Sequence, residues 1–367
     1  MSEDVVIIGA GWTGAVLAYL CATEWKRKVL VLERQPFLGG HAHDFVNEHG
    51  IRVQKFGAHL FHTSDEEVWS FVTRFTDFNG YIHHVKTRFG GQLYDWPITL
   101  DTIQKVYGRD LDASQAQELL KADGLEGCVE KPEDDSFEKT MIRQVGRRLY
   151  EMFIRNYTEK MWQCPAPSLS PELAFRIPVR FDNDNRLFKD AYQGIPTCGY
   201  TELIRRLLDH PSIRVELNTD YRKGIPPYQL LICTAPIDLF YNHCFGRLQY
   251  RGMRFEFQTK TGTEFDGFGT LNTPDDPTVL RIEEHKQYSR QTVGVTTLGY
   301  NYAMDGSDEP FYPIPTSEHR LRAQSYRDLA AKEKNIVFAG RLGLYKYIDQ
   351  HIAIREAMDL FKGLTGS

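Results

Sequence analysis

The stretch Val5-Val6-Ile7-Ile8-Gly9-Ala10-Gly11-Trp12-Thr13-Gly14-Ala15-Val16-Leu17-Ala18 decides the fold of this 367-residue chain. Four apolar residues in a row read as a strand buried on both faces. They run into three glycines, and the glycines run into a helical pattern. A second apolar run, Val29-Leu30-Val31-Leu32, ends on Glu33. This order is that of a dinucleotide-binding unit. Gly9 makes the tight turn, Gly11 lets the backbone approach a pyrophosphate, and Gly14 lets the helix pack on the strand. The helix N-terminus offers free N–H groups to phosphates, and Glu33 can accept hydrogen bonds from a ribose.

The residues after Glu33 choose the dinucleotide. Arg34-Gln35-Pro36-Phe37-Leu38-Gly39-Gly40-His41-Ala42 resembles the GG segment of FAD proteins of the glutathione-reductase and amine-oxidase type. There a second glycine turn lies against the cofactor, so FAD is the expected cofactor. Gly40, His41 and Arg34 join Gly9, Gly11, Gly14 and Glu33 as expected cofactor contacts.

Whole-chain properties narrow the function. Hydrophobic content of 41% and charged content of 25% suit a soluble globular protein. A net charge of -5 argues against general nucleic-acid binding. No apolar run approaches the roughly 18 residues that span a bilayer. The first strand begins at once, leaving no segment for a signal peptide, so a cytoplasmic location is expected. Cys21, Cys128, Cys164, Cys198, Cys233 and Cys244 form no CxxC pair and read as reduced thiols, with no metal site.

Along the chain, Ser64 and Glu67 suggest a capping box ahead of Val68, Trp69, Phe71, Val72 and Phe75 at helical spacing. Residues 79–160 read as a mainly helical insert, with Met141, Ile142, Val145, Leu149, Met152 and Phe153 on one side. Pro165 to Pro178 holds four prolines and is a lid candidate. From Arg251 to Gly299 the period changes to two, which predicts an antiparallel sheet. Leu230-Leu231-Ile232-Cys233 reads as a buried strand returning to the cofactor domain. Asn335 to Gly340 reads as a strand and the residues after Asp349 as a helix; the resemblance to FAD proteins implies that this helix points its N-terminus at the flavin. The expected architecture is α/β: a Rossmann-like FAD-binding domain of the GR2 type (1–78, 213–245, 314–367), the helical insert (79–160), and an antiparallel substrate domain (161–212, 246–313).

Seven stretches go further: Lys55-Phe56-Gly57-Ala58-His59-Leu60-Phe61-His62-Thr63, Tyr157-Thr158-Glu159-Lys160-Met161-Trp162, Arg176-Ile177-Pro178-Val179-Arg180-Phe181, Tyr192-Gln193-Gly194-Ile195-Pro196, Arg281-Ile282-Glu283-Glu284-His285-Lys286, Asp308-Glu309-Pro310-Phe311-Tyr312-Pro313, and Gly340-Arg341-Leu342 with Tyr345-Lys346-Tyr347-Ile348-Asp349. In this order they resemble the bacterial UDP-galactopyranose mutase family over nearly the whole chain. The resemblance implies interconversion of the pyranose and furanose forms of a nucleotide sugar, with no net redox change. The FAD is active when reduced: its N5 bonds to the anomeric carbon and the nucleotide diphosphate leaves and returns.

The resemblance also assigns residues. Arg176 and Arg281 match the family's two diphosphate-binding arginines, a task suited to a planar, permanently charged fork. Tyr157, Tyr312 and Tyr347 match phenols that bond the phosphates. Phe153 and Trp162 match uridine-side aromatics, although Phe153 also fits a helical core. Asn272 matches a nucleotide contact. His59 matches the turn beside the flavin ring and joins the two arginines in the implied catalytic machinery. His62 is open between a catalytic and a structural reading. Arg341 and Asp349 match flavin neighbours, and Asp349 also fits a helix N-cap. Glu283-Glu284-His285 reads better as a polar strand end than as acid–base machinery.

Four positions depart from the family pattern: Leu187 for a Tyr, Leu298 for an acid near the sugar, His83 for an Asn, and Ile348 for a Tyr. An apolar residue in place of a carboxylate fits a deoxy sugar, so a dTDP-6-deoxyhexose stands beside UDP-galactose as candidate substrate. An external reductant and a homodimer are expected with this reading. The competing classes are an FAD oxidase or desaturase, which would turn over oxidised flavin, and a non-catalytic flavin-binding scaffold.

Overall fold

The computed structural model describes residues 3–125, 136–306, 309–314 and 316–366. Cys128 and Asp308, both named above, lie outside them. The first apolar run forms strand Glu3–Ile8, which pairs in parallel with Val29–Leu32 on one side and Tyr228–Cys233 on the other. Ile213–Glu216 and Ile336–Phe338 complete a five-stranded parallel sheet. The returning strand predicted at Leu230 to Cys233 is therefore present, next to the fingerprint strand.

Both faces of this sheet are covered, which is why its strands read as unbroken apolar runs. Val5, Ile7, Val29 and Val31 pack under helices Trp12–Thr23, Tyr200–Leu208 and Gln350–Thr365. Val6, Ile8, Leu30 and Leu32 pack against Ile237, Ala323 and Tyr326 on the other side. Helix Tyr200–Leu208, expected with the substrate domain, thus buries Tyr200, Leu203, Ile204 and Leu207 in the core of the parallel-sheet domain.

The period-two region, with Tyr312–Pro313 at one edge, forms a seven-stranded sheet. Its spine is the antiparallel pair Tyr250–Thr261 and Val295–Asp305, extended through Arg281–Glu284 and Thr270–Asn272. Its edge differs from expectation. Val85–Phe89 and Gln92–Trp96, inside the expected helical insert, form a hairpin that joins this sheet parallel to Thr270–Asn272. Gly90 and Gly91 turn that hairpin at positive φ, as a two-residue turn requires.

The helices follow from Leu100–Tyr107 onward. Gly146, at φ 78°, breaks the single helix expected from Met141 to Phe153, and Tyr150–Ile154 winds as a π-helix. The apolar positions still converge: Met141, Ile142, Val145, Leu149 and Phe153 share one core. Helix Glu66–Val72 is capped by Asp65 rather than Ser64; its carboxylate accepts from the N–H groups of Glu67 and Val68. Ser64 instead donates to Asp190.

Candidate functional site

The fingerprint makes a cleft of about 1000 Å³ lined by Gly9, Gly11, Gly14, Glu33, Arg34, Gly40, His41, His59, Arg341 and Asp349. All ten residues expected to touch the cofactor are there. Three glycines divide the work. A Cβ on Gly14 would stand 1.9 Å from the Gly9 carbonyl oxygen, so Gly14 serves the strand–helix approach. Gly9 sits at φ +100° against Thr234. A Cβ on Gly11 would meet nothing nearer than 3.9 Å within the protein. It would instead fill the cradle at the helix N-terminus, the space a pyrophosphate needs. The Gly39-Gly40 turn, both residues at positive φ, closes the cradle from the opposite side.

Glu33 ends its strand buried, one oxygen accepting from Ala10 N–H and the other from Gln35 N–H, both at 2.8 Å. Burial pushes its carboxyl up and the two N–H groups pull it back. At the other end of the cleft, Asp349 precedes helix Gln350–Thr365 but makes no side-chain cap bond, leaving the first N–H groups of the helix to the cleft. His41 stacks on Phe311 at 4.2 Å, and burial lowers its ring nitrogen well below the usual range. Burial brings His59 to about 4, and its Nδ1 lies 2.8 Å from the Gly57 carbonyl oxygen. Both imidazoles are neutral at pH 7. Glycine cradle, terminal acid and free helix end together fit FAD.

Beyond His59, Arg341 and Asp349 the cleft meets a second group of side chains. Arg176 Nη2 donates to Asp349 Oδ1 at 2.9 Å, and its guanidinium lies 4.1 Å over the Tyr347 ring. Tyr347 is 5.1 Å from Tyr312, and Arg341 lies 5.3 Å from Tyr312 and 5.7 Å from Tyr347. Arg281 donates to the Tyr157 hydroxyl at 2.5 Å. Burial disfavours the Arg281 charge, but Tyr157, Glu283, Tyr312 and Tyr347 outweigh it and raise its pKa. Three arginines and three phenols thus gather from segments nearly two hundred residues apart. The lid candidate consists of two short 3-10 turns, Ala166–Ser168 and Pro171–Arg176, and is tied down by the ion pair of Glu172 with Arg320.

Other expected residues lie elsewhere. Phe153 is 3% exposed, packed against Tyr94 and Phe89, and belongs to the helical core. Trp162 is buried in the same core. Asn272 pairs in register with Arg281, so the two share a sheet face. Leu298 corrects an expectation: it pairs with Glu284 and Gln258, on the face opposite Arg281. The residue across from Arg281 is Asn301. His62 pairs with Asp190 at 2.8 Å and stacks on Phe188, latching loop to strand. His83 is buried and held neutral, at about 3, by desolvation first.

Sequence reasoning missed Glu283, which is 1% exposed and accepts from Ala58 N–H and the Asn301 amide. The signal was available: strand alternation puts Glu283 on the face of Arg281. Glu284 points the other way and fastens the N–H groups of Glu264 and Phe265 and the Thr296 hydroxyl.

The fold and this arrangement define a flavoprotein of the glutathione-reductase class with a cationic second compartment. Comparison with known proteins identifies which one of that class. The family model for UDP-galactopyranose mutase matches residues 152–347, and one for an NAD(P)-binding Rossmann-like domain matches residues 7–75. A Klebsiella pneumoniae protein named "probable UDP-galactopyranose mutase" is 33% identical over 97% of this chain and 93% of its own. The dTDP-fucopyranose mutase of Escherichia coli is also 33% identical, over 97% of both chains. A crystal structure of reduced UDP-galactopyranose mutase superposes with a TM-score of 0.78 at 16% identity, covering 100% of this chain and 94% of that one. Wild-type putrescine oxidase, at TM-score 0.61 and 14% identity over all of both chains, shares the fold. The chain belongs to the UDP-galactopyranose mutase family, and its cofactor is FAD. Among the described residues, no helix is long and apolar enough to cross a membrane.

Proposed function

We propose that this enzyme interconverts the pyranose and furanose forms of a nucleotide sugar, with UDP-galactose as first candidate substrate. The observation that supports this most is the convergence of Arg176 and Arg281, with Tyr157, Tyr312 and Tyr347, at the end of the FAD cleft. A leaving group that must also return has to be held while it is detached. Two planar guanidiniums and three hydroxyls can do that by charge-assisted hydrogen bonds. Reduced FAD supplies the nucleophile for the anomeric carbon, so sugar ring exchange needs no net redox.

In this reading Arg176 trades its bond to Asp349 for phosphate when substrate arrives. Arg281, already charged and backed by its sheet, is the fixed half of the clamp. His59 stays neutral, shapes the ring edge of the cofactor site and carries no substrate proton. Trp162 and Phe153 belong to the packing beneath the nucleotide, while Asn272 meets it from the Arg281 face. The family reading extends to a cytoplasmic homodimer that takes electrons for its flavin from an external reductant.

A second reading, a dTDP-6-deoxyhexose substrate, is favoured by the equal 33% identity to dTDP-fucopyranose mutase and by the uncharged Asn301 across from Arg281. Dithionite-reduced enzyme incubated with UDP-galactopyranose and with dTDP-fucopyranose, with products read by NMR, decides between them. Furanose from neither, under reducing conditions, contradicts the mutase assignment.

A further inference from the structure

Glu283 has no part in the function just described, yet it is one of the most deeply buried carboxylates of the chain. Its position is built. Oε2 accepts from Ala58 N–H at 2.9 Å, inside the Gly57-Ala58-His59 turn at the cofactor cleft. Oε1 accepts from Asn301 Nδ2 at 2.8 Å, from the neighbouring strand. Gly299 pairs with Glu283 across the sheet, and a Cβ there would stand 2.8 Å from His285 Nε2. Both partners donate in this arrangement, which suits an ionised acid.

Arg281 lies two residues away on the same strand and the same face. Burial pushes the Glu283 carboxyl up on balance, Arg281, the Ala58 N–H and the Asn301 amide pull against it, and the Glu283 charge in turn favours the Arg281 cation. Tyr157, Tyr288 and Tyr312 also feel the carboxylate. Glu284, the next residue, faces away from all of these.

We propose that Glu283 is a buried counter-charge that moderates the hold of Arg281 on the substrate diphosphate, so that the diphosphate is retained but remains free to return. This rests on the nucleotide-sugar reading above. A fixed arginine without a counter-charge, in a site of low dielectric, binds a diphosphate too tightly for rapid exchange. Glu283 is almost wholly buried and bonds the Ala58 turn, so it is a positioning residue acting through Arg281 and that turn.

UDP titrated calorimetrically into oxidised, FAD-loaded enzyme tests this without turnover. Glu283→Gln should bind UDP on the order of tenfold more tightly than wild type, with KM falling in parallel. Glu283→Asp, which keeps the charge, should stay near wild type, and so should Glu284→Gln. Unchanged or weaker UDP binding by Glu283→Gln with full FAD content overturns the proposal. Wild-type enzyme that fails to bind UDP or dTDP overturns the nucleotide-sugar reading as well. If Glu283→Gln loses its FAD, the pair gives the answer: Arg281→Gln/Glu283→Gln removes both charges and should regain FAD content. A double variant no better loaded than the single overturns the counter-charge.

Discussion

The two sheets hold their ligands by different physics. The five-stranded parallel sheet presents backbone: glycines without Cβ atoms, a helix N-terminus and one strand-ending acid. The seven-stranded sheet presents side chains: Arg281 and Asn272 on one face and Tyr312 from its edge strand, met by Arg176 and Tyr347 from outside the sheet. Backbone recognition needs a local sequence and tolerates little change in it. Side-chain recognition draws on distant segments, and its residues can be exchanged without disturbing the fold.

That contrast breaks most visibly at Arg281. Arg281→Ala should lower kcat/KM by roughly 10²–10³-fold while FAD content is unchanged, because the cofactor is held by the other sheet. Loss of FAD in that variant would contradict the division. Arg176→Ala should cost less, roughly tenfold to a hundredfold, because Arg176 is about two-fifths exposed and already shared with Asp349.

The cofactor side is sharpened by a pair of glycines. Gly14→Ala forces a Cβ to 1.9 Å from a backbone oxygen and should destabilise the whole domain by about 3 kcal/mol, read as loss of soluble protein or of Tm. Gly11→Ala meets protein only in ordinary contact, at 3.9 Å, and should leave the Tm of the FAD-free protein unchanged while weakening FAD binding at least about tenfold. Equal effects at the two positions would remove the distinction between folding glycine and cofactor glycine.

Acid should weaken both halves. His83 and His285 are buried among the strands of the seven-stranded sheet, each held near 3 by burial, and His59 is held near 4. An unfolded histidine binds its proton near pH 6.5, so between that pH and about 4 the unfolded chain binds more protons. Stability is full above pH 6.5 and is lost as the pH falls through this window. His41, in the FAD cleft, is lowered as well, so hydrogen exchange at pH 5 should show less protection than at pH 7 in both halves. The smallest effect belongs to Asp65, the observed N-cap of helix Glu66–Val72: Asp65→Ala should cost about 1 kcal/mol and Ser64→Ala much less.

The same contrast explains what could be read from the chain. The strand, glycines, helix and Glu33 lie within 29 residues and obey one steric logic, so the parallel sheet and its glycine cradle were legible, while His59, Arg341 and Asp349, which line the same cleft, were legible only through the family resemblance. The long alternating strands were legible too. The hairpin Val85–Trp96 carried its own signal, alternation around Gly90-Gly91, but was masked by the helical pattern that follows it. Phe153 satisfies a helical core and a substrate contact equally in sequence; packing against Tyr94 favours the core. Leu298 and Asn301 differ by three positions, and in a strand an odd shift reverses the face, so only register could tell them apart. Arg176 and Asp349 are 173 residues apart, and nothing local announces their contact.

The central claim is that the cationic compartment and the FAD cleft act together on a nucleotide sugar without net oxidation. Its most direct measurement follows furanose formation by NMR from UDP-galactopyranose and dTDP-fucopyranose, using the same enzyme sample oxidised and then reduced with dithionite. The account predicts furanose from at least one of them with reduced enzyme and none with oxidised enzyme, with no reductant consumed per turnover. Equal activity in the oxidised state, or an oxidised sugar product formed in step with flavin reduction, would contradict it.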